Sequence, residues 1–223
     1  MQLTDLDAVV FDFNGTLSDD EHVLAQLIIQ LAHEVCRVDI DQGRYARDFL
    51  GRSDIEILAA IRAEADSPDV PTTRELIDVL NHQYLQAIAT THFVRPEAAA
   101  LLHRLNDADV MLAVVTGAGR DAVEPALHMA GILDIFDTVV TGEDVIDGKP
   151  SPEGLQLAIR RLDISDPSRV AVFEDSAPGL RAVRAAGMIP ILLTQGGTGD
   201  DLSPLATVVV SDLGPDLADL VLR

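Results

Sequence analysis

Six short runs of continuously apolar, mostly β-branched residues constrain the fold of this chain more than any other feature. They occupy residues 8–11, 110–115, 138–140, 170–173, 189–193 and 208–210. A strand with one wet face alternates apolar and polar residues, whereas a strand covered on both faces has no need to. Helical patterns at 97–106, 120–130, 152–161 and 178–186 separate the later runs. Doubly covered strands separated by helices predict an α/β fold, a doubly wound parallel sheet of the Rossmann type.

Residues 20–92 break this rhythm and show no convincing strand. Val23, Leu24, Leu27, Ile28, Leu31 and Val35 recur at helical spacing. Ile55, Leu58, Ala59 and Ile61 predict a second helix. Leu76, Ile77, Leu80, Tyr84, Leu85 and Ile88 predict a longer one, with Thr72 or Thr73 as its N-cap before Glu75. Residues 66–71, with two prolines, read as a loop. The expected organisation is an α/β core from residues 1–19 and 93–223, with an all-helical module at 20–92 inserted after the first strand.

Composition narrows the function classes. The chain has 223 residues, 16 Lys plus Arg against 37 Asp plus Glu, and a formal net charge of −21. A phosphate backbone or an anionic bilayer needs a basic face, so nucleic acid and membrane surfaces are excluded as broad partners. No apolar stretch reaches the length of a membrane span, and no basic segment precedes the first apolar run, so a cytoplasmic protein is expected. A monomer is expected, with a dimer left open. The single cysteine, Cys36, falls on an apolar helical pattern and reads as core. His33, His82, His92, His103 and His128 lack metal-ligand spacing. Fifteen of the 16 basic residues are Arg, and the one lysine is Lys149.

In an open parallel sheet, ligands bind beyond the carboxyl ends of the strands. Asp12-Phe13-Asn14-Gly15-Thr16 follows the first run, and Thr116-Gly117-Ala118-Gly119 the second. Gly148-Lys149-Pro150 follows the third after a short loop, and Glu174-Asp175-Ser176 the fourth. One end of the sheet thus collects three carboxylates, one ammonium and a hydroxyl beside glycine amides. Oxygen donors of this kind suit Mg²⁺ with a phosphoryl group, and amides at a helix start can hold the remaining oxygens. Two apparent motifs fail. Gly117 and Gly119 lack the third glycine of a dinucleotide fingerprint, and Gly142 to Lys149 lacks the spacing and the Ser/Thr of a P-loop. Residues 195–199, rich in glycine, read as a loop rather than a phosphate cradle.

The order Asp12-x-Asn14-Gly15-Thr16, Thr116, Lys149-Pro150 and Glu174-Asp175-Ser176-x-x-Gly179 resembles the haloacid dehalogenase superfamily. The similarity is greatest to its β-phosphoglucomutase-like branch of phosphatases and phosphomutases, and it extends over nearly the whole chain. It implies a Mg²⁺-dependent enzyme acting on a small phosphorylated metabolite, with residues 20–92 as its cap. By position it implies Asp12 as nucleophile forming an aspartyl-phosphate. It also implies Asp12, the Asn14 carbonyl, Glu174 and Asp175 around Mg²⁺, Thr116 and Gly117 on phosphate, and Lys149 orienting Asp12. Phe49-Leu50-Gly51-Arg52-Ser53 resembles the branch's specificity loop, with Arg52 able to reach an anionic substrate group. Phosphonoacetaldehyde hydrolase chemistry needs a cap lysine, and residues 20–92 contain none.

Asn14 departs from the pattern, because phosphatases of the family have an aspartate there as general acid and base. An amide performs neither task, and losing such a group costs on the order of 10²–10⁴-fold in rate. Four readings stand: an inactivating substitution, substrates with good leaving groups, a substitute group among Asp20, Glu21 and His22, or deamidation at Asn14-Gly15. The functional alternatives are a phosphatase, a phosphomutase of shared chemistry, and a catalytically silent phosphoryl-binding protein.

Overall fold

The computed structural model describes residues 3, 6–90, 93, 94, 96–194 and 202–222. The expected loop at 195–199 and His92 lie outside the described residues. The six apolar runs form β1 (Ala8–Phe11), β2 (Met111–Val115), β3 (Thr138–Val140), β4 (Val170–Glu174), β5 (Ile189–Leu193) and β6 (Val208–Val210). All neighbours are parallel, in the order β3-β2-β1-β4-β5-β6.

Alternation within β1 serves two interiors. Val9 and Phe11 join one buried layer with Leu112, Val114, Ala171 and Phe173. Ala8 and Val10 join the opposite layer with Ala113, Val115, Val170 and Val172. Both faces are therefore dry, which explains why the runs do not alternate. Helices α5 (Pro96–Asn106) and α6 (Arg120–Met129) contribute buried residues to the first layer. Helices α7 (Glu153–Arg161) and α8 (Ala177–Ala185) contribute to the second.

From β1 the sheet grows to β2 and β3 on one side, then the chain crosses back to lay β4 against the other side of β1. This reversal opens a crevice at the carboxyl ends of β1 and β4, where α/β sheets bind ligands.

Between β1 and α5 lie α1 (Glu21–Leu31), α2 (Gln42–Asp48), α3 (Asp54–Glu64) and α4 (Thr73–Ile88). No strand occurs among the described residues of this stretch. Helix α1 runs on into a π turn, Ala32–Cys36, which buries Cys36 before Arg37 takes a left-handed conformation. Helix α2 was not foreseen, since its one buried side chain, Tyr45, leaves no apolar periodicity. In α3 the buried face is Ile57, Leu58 and Ile61; Ile55 and Ala59 lie exposed. Capping boxes start α3 at Ser53 with Glu56 and α4 at Thr72 with Glu75, satisfying backbone donors that the helices leave open. The two chain segments leading out of and back into the sheet meet in a bridge between Ser18 and Val94. No helix among the described residues is long and apolar enough to cross a membrane.

Candidate active site

The site begins with strand register. Phe11 pairs with Phe173, their rings stacked at 4.9 Å. Asp12 continues the ladder by donating its backbone N–H to the Phe173 carbonyl at 3.1 Å. The residues at these two strand ends therefore come together. Lys149 Nζ, delivered by the loop after β3, donates to Asp12 Oδ1 at 2.6 Å and closely to Glu174 Oε1. The other Glu174 oxygen accepts from the Ser176 N–H at 2.9 Å and its hydroxyl at 2.8 Å. Gly179 makes this possible, since a Cβ there would lie 1.8 Å from Glu174 Oε1.

Asp175 faces the loop after β1. Its Oδ1 accepts from the Thr16 hydroxyl at 3.2 Å. Gly15 has φ +75°, and a Cβ there would sit 2.2 Å from Asp175 Oδ2, so glycine is required both by conformation and by space. Asp12, Glu174 and Asp175 each offer an oxygen within 4.8 Å of the others. Such a set of hard donors could hold a divalent cation.

Electrostatics agree. Burial pushes the Asp12 pKa up to about 7, against the pull of Lys149 and with the repulsion of Glu174. Burial, then Glu174 and Asp12, raise Asp175 well above the usual carboxylate range. Burial opposes the Lys149 charge, but Asp12 and Glu174 outweigh it and hold the ammonium above its ordinary value. Three carboxylates against one ammonium leave this cluster short of positive charge, as a metal site should be.

Asp12, Asn14, Thr116, Gly117, Lys149 and Asp175 line one cavity of about 40 Å³. Glu174 lies behind it. Thr116 is buried, and its Oγ1 accepts from the Ala118 N–H at 3.1 Å, leaving the hydroxyl proton to donate. The amides beyond Gly117 are less open than expected. Besides Ala118, the Gly119 backbone stabilises the Asp54 carboxylate, and Arg120 N–H is bonded to Glu143 Oε2 at 3.0 Å. Gly117 itself lies under the helical segment, where a Cβ would come 2.9 Å from Ser53 Cα.

The helical segment closes the cavity with Glu21, Tyr45, Arg52 and Asp54. Arg52 is exposed, its guanidinium 6.0 Å from the Phe49 ring centroid and weakly bonded to the Asp48 carbonyl. Asp54 is buried, and burial followed by Glu21 and Asp20 pushes its pKa up to about 7. Burial and Asp20 push Glu21 up to about 7 as well. Tyr45 donates to Glu21 Oε1 at 3.1 Å. Sequence reasoning did not single out Asp54 or Tyr45. Asp54 looks like an ordinary first-turn acid behind the Ser53 cap.

Asn14 Nδ2 donates to Asp20 Oδ2 at 3.0 Å, and the Tyr84 hydroxyl donates closely to the same oxygen. Of the three neighbours considered as substitutes for a missing acid, Asp20 touches Asn14 and Glu21 lines the cavity. His22 is exposed and packs edge-on against Phe93 at 6.3 Å.

A family model described as a haloacid dehalogenase-like hydrolase matches residues 6–187. The chain is 33% identical to the validoxylamine A 7'-phosphate phosphatase of Streptomyces hygroscopicus subsp. limoneus, with 92% of each chain aligned. It is 27% identical to a phosphoglycolate phosphatase of Pectobacterium atrosepticum, over 99% of this chain and 94% of the relative. Its fold superposes on CbbY from Rhodobacter sphaeroides, solved in complex with phosphate, with a TM-score of 0.81 and 25% identity over 95% and 96% of the chains. The six-stranded parallel sheet, the acidic cluster at its carboxyl end and these matches agree, and the chain is an enzyme belonging to the haloacid dehalogenase-like hydrolases.

Proposed function

We propose that this enzyme is a Mg²⁺-dependent phosphatase that removes the phosphoryl group of a small phosphorylated metabolite through an aspartyl-phosphate on Asp12. The observation that carries the reading is the Lys149 bridge between Asp12 and Glu174 at the point where the sheet reverses its order. Residues 1–19 and 93–223 form the catalytic core, and residues 20–92 form a cap over the cavity.

Each residue has a task. Asp12 Oδ2, the oxygen not bonded to Lys149, attacks phosphorus in line with the ester oxygen. Lys149 keeps Asp12 oriented and pairs with the phosphoryl charge. The Thr116 hydroxyl and the Gly117 N–H donate to phosphoryl oxygens. Asp12, Glu174, Asp175 and the Asn14 backbone carbonyl would hold Mg²⁺, which supplies charge neutralisation of the phosphoryl group and favours ionised Asp12. The side chains over the cavity exclude bulk water while the P–O bond breaks.

The cap wall points to the substrate. Glu21 and Asp54 line the cavity from the helical segment, the side opposite Asp12 on which a leaving group would lie. Buried carboxyl groups pushed up to about 7 offer hydrogen bonds to hydroxyl groups and ionise readily beside an amine, so a hydroxylated or amine-bearing alcohol fits this wall. Arg52, at the rim, is the cation available to a second anionic group.

The test is phosphate release in Mg²⁺ from a panel of phosphorylated sugars, polyols and amino alcohols, with phosphoglycolate included. The native chain should turn over at least one member, and Asp12→Ala should lose all release. Turnover retained by Asp12→Ala sinks the proposal.

A further inference from the structure

We infer that Asp20 is a positioning residue that locks the Asn14 amide with its nitrogen turned away and its carbonyl oxygen toward the reacting group. The inference rests on the phosphatase reading above.

Asp20 sits at the start of α1 and is fully buried. Its Oδ2 accepts from Asn14 Nδ2 at 3.0 Å and from the Tyr84 hydroxyl of α4. Its Oδ1 is buried without a hydrogen-bond partner. Leaving a buried carboxylate oxygen unpaired costs on the order of 1–3 kcal/mol, so a fold retains it only where something else is gained.

The gain is orientation. Asp20 Oδ2, which already takes the Tyr84 hydroxyl proton, is an acceptor, whereas an amide has one donating and one accepting branch. Asn14 must therefore point its NH₂ at Asp20. The amide is planar, so its oxygen takes the opposite branch, toward the cavity that Asn14 lines. Tyr84 holds Asp20 from the cap side, so the orientation cannot relax by rotation of Asp20 alone. Locked this way, Asn14 can accept a hydrogen bond from a hydroxyl or water but cannot protonate a departing alkoxide. Turnover should consequently depend steeply on leaving-group quality, with p-nitrophenyl phosphate cleaved much faster than glycerol phosphate.

The Asn14–Asp20 contact also makes a non-additive prediction. In Asn14→Asp, a second carboxyl would replace the amide at the 3.0 Å contact with Asp20, so the pair would share a proton between themselves instead of aiming it at the leaving group. In Asn14→Asp with Asp20→Asn, the amide partner is restored at the other position, and the oriented acid should return.

The experiment measures kcat and KM for p-nitrophenyl phosphate and glycerol phosphate in Mg²⁺, with Asp12→Ala as control. Four proteins are compared: native, N14D, D20N and N14D/D20N. The expected result is little gain for N14D, and a 10²–10⁴-fold gain in kcat/KM on glycerol phosphate for the double variant, with far less gain in kcat/KM on p-nitrophenyl phosphate, whose leaving group needs little protonation. Equal gains for N14D and N14D/D20N, or no gain in either, overturn the inference. Should the double variant not fold, judged by circular dichroism, N14D/D20S carries the same comparison with the same outcomes. The two readings fail separately: turnover surviving Asp12→Ala removes the phosphatase mechanism, whereas additive effects at 14 and 20 with a dead Asp12→Ala remove only the role of Asp20.

Discussion

The two walls of the cavity treat negative charge in opposite ways. On the sheet wall, Lys149 joins Asp12 to Glu174, and Ser176 satisfies the rest of Glu174. On the helical wall, Glu21 and Asp54 line the cavity with Asp20 behind them, and no ion pair among the described residues reaches any of the three. The charges of the sheet wall are tied to one another by these contacts. The helical wall keeps protons to near neutrality, with Glu21 and Asp54 both pushed up to about 7 by burial and by each other's neighbours. A single cavity thus sets paired charges at one end against carboxyl groups that hold their protons to near neutrality at the other.

The largest effect expected from breaking this contrast is at Lys149. Replacing it with Met removes the one cation between Asp12 and Glu174, and kcat should fall about 10²–10³-fold, the cost of losing one preorganised charge donor. Melting should also shift down, because two buried carboxylates then face each other unpaired. Unchanged kcat in Lys149→Met would show that the sheet wall does not work through this bridge.

The next effect is one of stability on the helical wall. The folded pKa of Asp54, about 7, lies above its unfolded value near 4. Its contribution is therefore fully present below pH 4 and lost as pH rises through 7. Asp54→Asn should stabilise the metal-free protein by about 1–4 kcal/mol at pH 8 and by almost nothing at pH 4, as read from urea melts at both values. Equal shifts at the two pH values would show that Asp54 is not a charge held against burial.

A smaller effect sharpens the join between the walls. Ser53 caps α3, exchanges hydrogen bonds with Glu56, and lies over Gly117. Ser53→Ala should cost about 0.5–2 kcal/mol. It should also raise KM more than it lowers kcat, since it loosens the segment carrying Arg52 and Asp54 without touching Asp12. A kcat-only effect would contradict this placement.

Much of the sheet wall was legible in the sequence because each of its parts is local. A strand buried on both faces announces itself as an apolar run, and chemistry follows the run within a few residues. Asp12, Thr116, Lys149, Glu174 and Asp175 were all found this way, and the register of β1 with β4 then brings Asp12 beside Glu174. The helical wall was less legible because its contacts are distant in sequence. Tyr84 fell on the apolar face of its helix, but nothing local says that its hydroxyl meets Asp20, 64 positions earlier. A buried tyrosine always needs a partner for its oxygen, and that was the available signal. Asp54 and Gly119 are likewise brought together only by the fold, which sets a carboxylate against backbone that the sequence alone would offer to phosphate.

The central claim is that Asp12 becomes phosphorylated, and a label-trapping measurement tests it most directly. Asn14 offers no base for the water that discharges an aspartyl-phosphate, so that species should accumulate. Mixing the enzyme and Mg²⁺ with p-nitrophenyl phosphate should release a burst of p-nitrophenol close to one per active site before slow turnover. Acid quenching and peptide mass mapping should then place the phosphoryl group on Asp12, with burst and label both absent in Asp12→Ala. Steady turnover with no burst and no phosphorylated Asp12, or a label on any other residue, would contradict the account.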